Sequence, residues 1–412
     1  MKAITITRAD AQDRRFSLHS GAGSDAIHTS GEYAFAVTQL HTDCGLTGCG
    51  ITLTMGNGNR AVCDIIDRLT ATLVGREIEE LMAQFGTVSK RLADDPALRW
   101  LGPHKGVVHL ALASVVNACF DLWAKSRGVP LWRLLLDLTP AQVVALLDFS
   151  YIEDALSKED ALAILNLHLP DRETREGILR SGYPGYDTTV GWFMYEDDRV
   201  RKNVQIALAA GFRAFKLKVG SPDGDRDLRR AAILREIAGP DCRIMFDANQ
   251  QWRLHEAEHM CHALAAFNPY WIEEPTHPDD IEAHRSLAAS IAPIRLALGE
   301  HVPNRVMFKN FMQAGAVHFV QADCTRLAGV AEFLTVSLMA RKFGLPVVPH
   351  VGDMGQIHQH LVLFNHIAMG HEAIFLEHIH HLSNYLVHPA SIERGVYKTP
   401  EAPGLSCDLK AE

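Results

Sequence analysis

The sequence predicts an α/β protein: a closed barrel of eight strand and helix repeats preceded by a smaller α+β domain. Three observations carry that prediction. Between residues 186 and 376, short apolar runs alternate with helical patterns eight times, as a parallel sheet requires. Several of the runs end on a group able to bind a metal or move a proton: residues 243–246 lead into Asp247, 270–272 into Glu273, and 294–299 into Glu300. The spacing is regular, 26 residues and then 27, which is the length of one strand with its returning helix. Barrels gather the ends of their strands at one mouth, so chemistry at successive strand ends favours closure over an open sheet.

Composition bounds the rest. A chain of 412 residues that is 47% hydrophobic is large enough for two cores. Its net charge of −9 comes from 49 acidic and 40 basic residues mixed along the chain, with no basic run to follow phosphates, so nucleic acid is not an expected partner. The first residues, Met-Lys-Ala-Ile-Thr-Ile-Thr, form no signal or transit pattern, and no uncharged apolar run approaches the ~20 residues of a membrane span. The expectation is a soluble cytoplasmic protein with no membrane partner. The eight cysteines include no Cys-x-x-Cys pair, which fits reduced thiols.

In chain order, residues 3–7, 33–41 and 48–54 alternate apolar and polar side chains as strands do. The small, glycine-bearing stretch 19–28 falls between the first two and reads equally as a loop that closes on a ligand or as an idle surface turn. Helical periodicity begins at Asn59 and is clearest over 106–127, where Val108, Leu112, Val115, Val116, Cys119, Phe120 and Trp123 share a face before Gly128 and Pro130 end it. This α+β domain is expected to span 1–138, with a crossing over 139–184. The barrel follows over 185–385, with strands near 186–192, 214–219, 244–247, 270–273, 294–299, 317–321, 346–349 and 373–376. The tail, 386–412, is expected to pack back on the first domain.

The residues at the strand ends define a chemistry. Three carboxylates, Asp247, Glu273 and Glu300, are hard oxygen donors suited to Mg²⁺ rather than to zinc. Lys216 and Lys218, two apart on the preceding strand, point to one side and supply positive charge. A proton next to a carboxylate is very weakly acidic, because its loss yields a doubly charged enediolate; a metal and ammonium groups around those oxygens stabilise that charge. His350 is the candidate base, with Asp323 one strand back to hold its other nitrogen, and Lys218 is the alternative base. Glu377, at the end of the eighth strand, completes the ring. An inward Glu273 requires Glu274 to face outward, since a strand alternates its faces. The His255-Glu256-Ala-Glu-His259 run has a zinc-protease spacing but lies on a helix that a barrel turns outward. His378-Ile-His380-His381 has the composition of a metal chelate and also of an ordinary loop at the mouth.

These residues resemble the enolase superfamily, and within it the mandelate racemase subgroup: Lys216-x-Lys218, Asp247-Ala-Asn249, Trp271-Ile-Glu273-Glu274-Pro275, Gly299-Glu300, and the Asp323/His350 pair. The chain looks most like the L-fuconate dehydratases, through stretches that include 98–103, 215–220 and Gly299-Glu-His301. The resemblance implies a modified (β/α)7β barrel under an N-terminal capping domain. It also implies Mg²⁺-dependent dehydration of an aldonate, an acid sugar, to a 2-keto-3-deoxy acid. By that likeness Asp247, Glu273 and Glu300 hold the metal, and Lys218 and the His350/Asp323 pair are the acid/base groups. Lys216, Asn249, Glu377, His301 and Trp100 face the substrate. Asp353, a departure from the family pattern, is expected beside His350 at the mouth, where it alters which hydroxyls are read. Barrels of this kind often self-associate, so a homo-oligomer is expected. The same atoms serve a racemase, epimerase or cycloisomerase. Two other classes remain open: a Schiff-base aldolase built on Lys216 or Lys218, and a sugar-acid binding protein without turnover.

Overall fold

The computed structural model describes residues 3–411 except Ser20 and Ser30, so one position of the glycine-bearing loop lies outside the described residues. Strands β1 (Ile6–Ser17), β2 (Glu32–Thr42) and β3 (Thr47–Thr54) pair as an antiparallel sheet in the order β1-β2-β3. β1 runs ten residues past the stretch that alternation picks out. Its polar run Arg8–Arg15 lies on the sheet edge with most side chains half exposed, where a strand needs no apolar face.

The helix Gly106–Ser126 crosses β3, and glycine sets the distance. A Cβ on Gly50 would lie 2.0 Å from the Ser114 carbonyl oxygen, so only a residue without one lets the backbones approach. Ser114 Oγ donates to the Gly50 carbonyl at 2.8 Å. On the far side, Asn117 donates to the carbonyls of Ile51 and Cys324 and accepts from Val330 N–H, which ties the sheet to the barrel. By length and composition this helix passes as a membrane span, yet 89% of its apolar window is buried inside the protein, the signature of a core helix.

The barrel strands are β4 (Tyr183–Gly191), β5 (Ala214–Lys218), β6 (Arg243–Asp247), β7 (Trp271–Glu273), β8 (Leu296–Leu298) and β9 (Phe319–Val320), parallel neighbours in sequence order, with β10 (Leu376–His378) parallel to β4. The predicted strand 346–349 makes a single bridge, Val347 to Val320, because prolines at 346 and 349 remove two ladder donors. The last predicted strand lies two to three residues further on than expected. Helices separate these strands, but among the described residues β10 is followed by a single 3-10 turn, Ser383–Tyr385, and no α-helix. Instead β11 (Ile392–Glu393) and β12 (Val396–Tyr397) form a hairpin that pairs antiparallel with the start of β4. The architecture is a (β/α)7β barrel under an N-terminal capping domain.

Alternation along the strands positions the site. Ala214, Met245 and Trp271 belong to a buried inner cluster with Tyr186, Ala297, Phe319 and Val348. Two residues further along the same strands stand Lys216, Asp247 and Glu273, on the same face. An apolar floor therefore lies beneath the charged groups. The tail crosses to the capping domain, where Asp121 accepts from Cys49 N–H and Leu405 N–H, both at 2.7 Å, and Lys125 pairs with Asp408 at 2.7 Å.

Candidate active site

Asp247, Glu273 and Glu300 come together: one oxygen from each lies within 4.8 Å of those of the other two, and all three residues are buried. Like charges at this density need cations. Lys216 Nζ stands 2.7 Å from Glu273 Oε1, 2.8 Å from Glu377 Oε1 and 3.5 Å from Asp247 Oδ2, while Lys218 Nζ is 2.5 Å from Asp247 Oδ2. Burial works to raise Asp247, but the two ammonium groups overcome it and hold this carboxyl below its ordinary range. Glu273 goes the other way. Burial, with the Asp247 charge beside it, pushes it up to about 8 against the pull of Lys216. Its second oxygen accepts from Trp271 Nε1–H at 3.0 Å.

The donor set fits a hard divalent cation on geometry as well as chemistry. Glu300 Oε2 is buried without a hydrogen-bond partner among the described residues and has a longer ionic contact, 3.4 Å, to His350 Nε2, so the cluster keeps an oxygen lone pair free for an ion.

On the opposite flank His350 Nδ1 lies 2.6 Å from Asp323 Oδ2, and its Nε2 is 3.4 Å from Glu300 Oε2. Burial lowers the imidazole, but Glu300 and Asp323 outweigh it and raise the proton affinity to about 10. Asp323 is held low despite its burial, by hydrogen bonds from His350 and from the Thr325 backbone. The lysine pair thus touches one end of the carboxylate row and the imidazole touches the other.

Two of the carboxylates lie elsewhere than expected. Glu274 does not face outward: its φ of 44° breaks the strand alternation, and the carboxylate turns inward to His301 Nδ1 at 2.9 Å and to Gln250. Asp353 does not face the mouth. It is fully buried, accepts from the Gly355 and His358 N–H groups at 2.9 and 3.0 Å, and meets His358 Nδ1 at 2.6 Å. There it caps the helix Gln356–Met369 from within, and His358 Nε2 accepts from Cys324 N–H at 3.0 Å behind Asp323.

Among the residues expected to face substrate, Lys216, Asn249 and Glu377 join the group. His301 lines a cavity of about 150 Å³ together with Glu300, Lys105 and Arg326. Trp100 does not join them. It sits on the 3-10 turn Pro96–Leu101, 99% exposed, where nothing turns its indole toward the carboxylates. In the sequence, alternation points Glu274 outward, and no pattern singles out Gln250 or His358. The Glu-Glu doublet was the only signal for the first, while left-handed residues at Asn249, Gln250 and Glu274 leave no mark in periodicity.

A capped (β/α)7β barrel with three clustered carboxylates between a lysine pair and an Asp/His pair defines a class of Mg²⁺-dependent enzyme. The chain belongs to the enolase superfamily: residues 16–135 match the mandelate racemase / muconate lactonizing enzyme N-terminal domain, and residues 199–412 the enolase C-terminal domain-like family. It is 41% identical to human mitochondrial enolase superfamily member 1, over 99% of this chain and 94% of that protein. It is also 41% identical to the L-galactonate dehydratase of Hypocrea jecorina, over 100% and 93%. The crystal structure of the human protein superposes with a TM-score of 0.96, covering 99% of this chain and 95% of that one. The L-talarate/galactarate dehydratase of Salmonella typhimurium, solved with Mg and L-lyxarohydroxamate, is 24% identical at a TM-score of 0.79 over 99% and 92%, and shares the fold.

Proposed function

We propose that this chain is a Mg²⁺-dependent acid-sugar dehydratase acting on an aldonate of the L-fuconate or L-galactonate kind. The observation that carries the reading is the row Asp247, Glu273, Glu300 with proton-transfer groups touching both ends. Asp247, Glu273 and Glu300 would hold the ion, which supplies positive charge against the substrate carboxylate and eases loss of the neighbouring proton. Lys216 and Asn249 would hold the carboxylate and 2-hydroxyl oxygens, with Glu377 setting Lys216 and His301 bordering the way in.

Lys218, in its neutral amine form, takes the α-proton. His350, whose proton Asp323 and Glu300 hold in place, gives it to the departing 3-hydroxyl. The C2–H and C3–O bonds break, water leaves, and the resulting enol tautomerises to a 2-keto-3-deoxy acid. The 41% identity to an L-galactonate dehydratase supports dehydration of a mono-acid.

The test is incubation of purified protein with Mg²⁺ and a panel of aldonates, with 2-keto acid as readout. Release from at least one aldonate is expected. Solvent deuterium entering recovered substrate without loss of water would instead assign racemisation, and silence across the panel would overturn the reading. We place the protein in the cytoplasm on its eight free thiols, although the human relative carries a mitochondrial name. We also infer a homo-oligomer, which light scattering checks.

A further inference from the structure

We infer that Trp192 and His381 form a hydroxyl-binding wall on the lysine side of the site, which reads the polyol tail of the ligand. The nature of that ligand rests on the dehydratase reading above.

Three separate segments meet at this wall. Trp192 is the residue after β4, and Lys218 Nζ lies 5.7 Å from its ring centre. His381 follows β10, with its ring 5.3 Å from that of Trp192 and 6.4 Å from that of Tyr33, on β2 of the capping domain. The capping loop presses on the same place, where Ser24 accepts Phe193 N–H on its carbonyl at 3.0 Å and Met194 N–H on its Oγ at 2.9 Å.

Two nitrogens here have no hydrogen-bond partner among the described residues. Trp192 is 3% exposed, yet its Nε1–H has no acceptor, and His381 Nε2 is likewise buried and unmatched. A buried N–H without an acceptor is rare enough to call for a ligand. Trp132 and Trp271 donate to the Pro400 carbonyl at 2.8 Å and to Glu273 Oε2 at 3.0 Å; Trp123 Nε1 is unmatched like that of Trp192, but it lies on the helix Gly106–Ser126 of the capping domain rather than at a barrel strand end.

The chemistry of the pair selects a neutral partner. Burial, and then the neighbouring His380, His19 and Arg199, keep the His381 imidazole uncharged, with its affinity for a second proton pushed down to about 3. An indole donor beside a neutral imidazole matches a hydroxyl group, which both donates and accepts, better than it matches an anion. The place beside Lys218 suits hydroxyls beyond C3, since the reacting carbons lie against the carboxylate row.

Selectivity tests the inference. The kcat/KM of wild type, Trp192→Phe and His381→Leu is measured on the aldonate and on glycerate, which has the α-proton and 3-hydroxyl but no carbon beyond C3. Each variant is expected to lower the preference for the aldonate at least tenfold, with Tm at or above that of wild type because an unmatched nitrogen is gone. An unchanged preference would overturn the inference. Should wild type turn over no acid, the reaction assigned above fails separately. Calorimetry of both acids in Mg²⁺ then decides, with the same tenfold loss of aldonate preference expected in binding, and equal preference in wild type and variants against the wall.

Discussion

Asp323 and His350 should behave as one unit, and a double-substitution cycle measures that. Asp323 is fully buried and accepts four hydrogen bonds: His350 Nδ1 at 2.6 Å, Gly352 N–H at 3.0 Å, and the Thr325 N–H and Oγ1 at 2.7 Å each. In Asp323→Asn one of those acceptors becomes an amide donor facing donors, and the imidazole loses the charge that orients it. A positioned acid/base group contributes on the order of a thousandfold in rate, about 4 kcal/mol. His350→Asn and Asp323→Asn should therefore each lower kcat by roughly that factor. Because each disables the same proton transfer, the double variant should fall no further than about threefold below His350→Asn, a coupling of about 4 kcal/mol. Initial rates of 2-keto acid formation give the three ratios, and thermal unfolding identifies any variant that fails to fold. Losses that multiply, or an Asp323→Asn enzyme within tenfold of wild type, would refute the assignment of the pair.

Three further outcomes are expected. Mg²⁺ at a hundred times its Kd should stabilise the protein by about 2.7 kcal/mol, read as a rise in Tm that EDTA reverses and Glu300→Gln abolishes. Gly50→Ala should destabilise by about 3 kcal/mol in denaturant titration, since the new methyl would meet the backbone of Ser114 and Ala118 at 2.0 and 2.3 Å and neither can yield. Below pH 6.5 stability should fall: burial lowers His360 to about 3 and His371 to about 4, so the unfolded chain binds protons that the folded chain refuses. Their contribution is unimpaired above the unfolded value and is lost as pH drops toward the folded ones, by up to about 1.4 kcal/mol per pH unit for each, which urea unfolding at pH 7, 6 and 5 measures.

The fold was legible wherever side-chain period and burial agree. β6, with Asp247 at its end, and the helix Gly106–Ser126 emerged almost to the residue, because each buries one apolar set against one partner. The edge strand β1 did not, since its half-exposed side chains carry no alternation. The seventh strand was misjudged through its prolines. In the site, residues at strand ends were readable because strand geometry fixes where they point. Those on the following turns were not. Glu274 depends on a positive φ, Asp353 on the helix terminus it caps, and Trp100 on a capping-domain turn whose direction no pattern encodes.

The grip of Asp121 on both Cys49 and Leu405 has a consequence for biosynthesis. The capping domain borrows a piece that lies 284 residues further along the chain, so until Leu405 has been made its Asp121 carboxylate has only one of these two backbone donors. The capping domain should therefore mature only after the segment from Gly404 to Asp408 has been made, and removing that segment should unsettle a region that precedes the whole barrel in the chain.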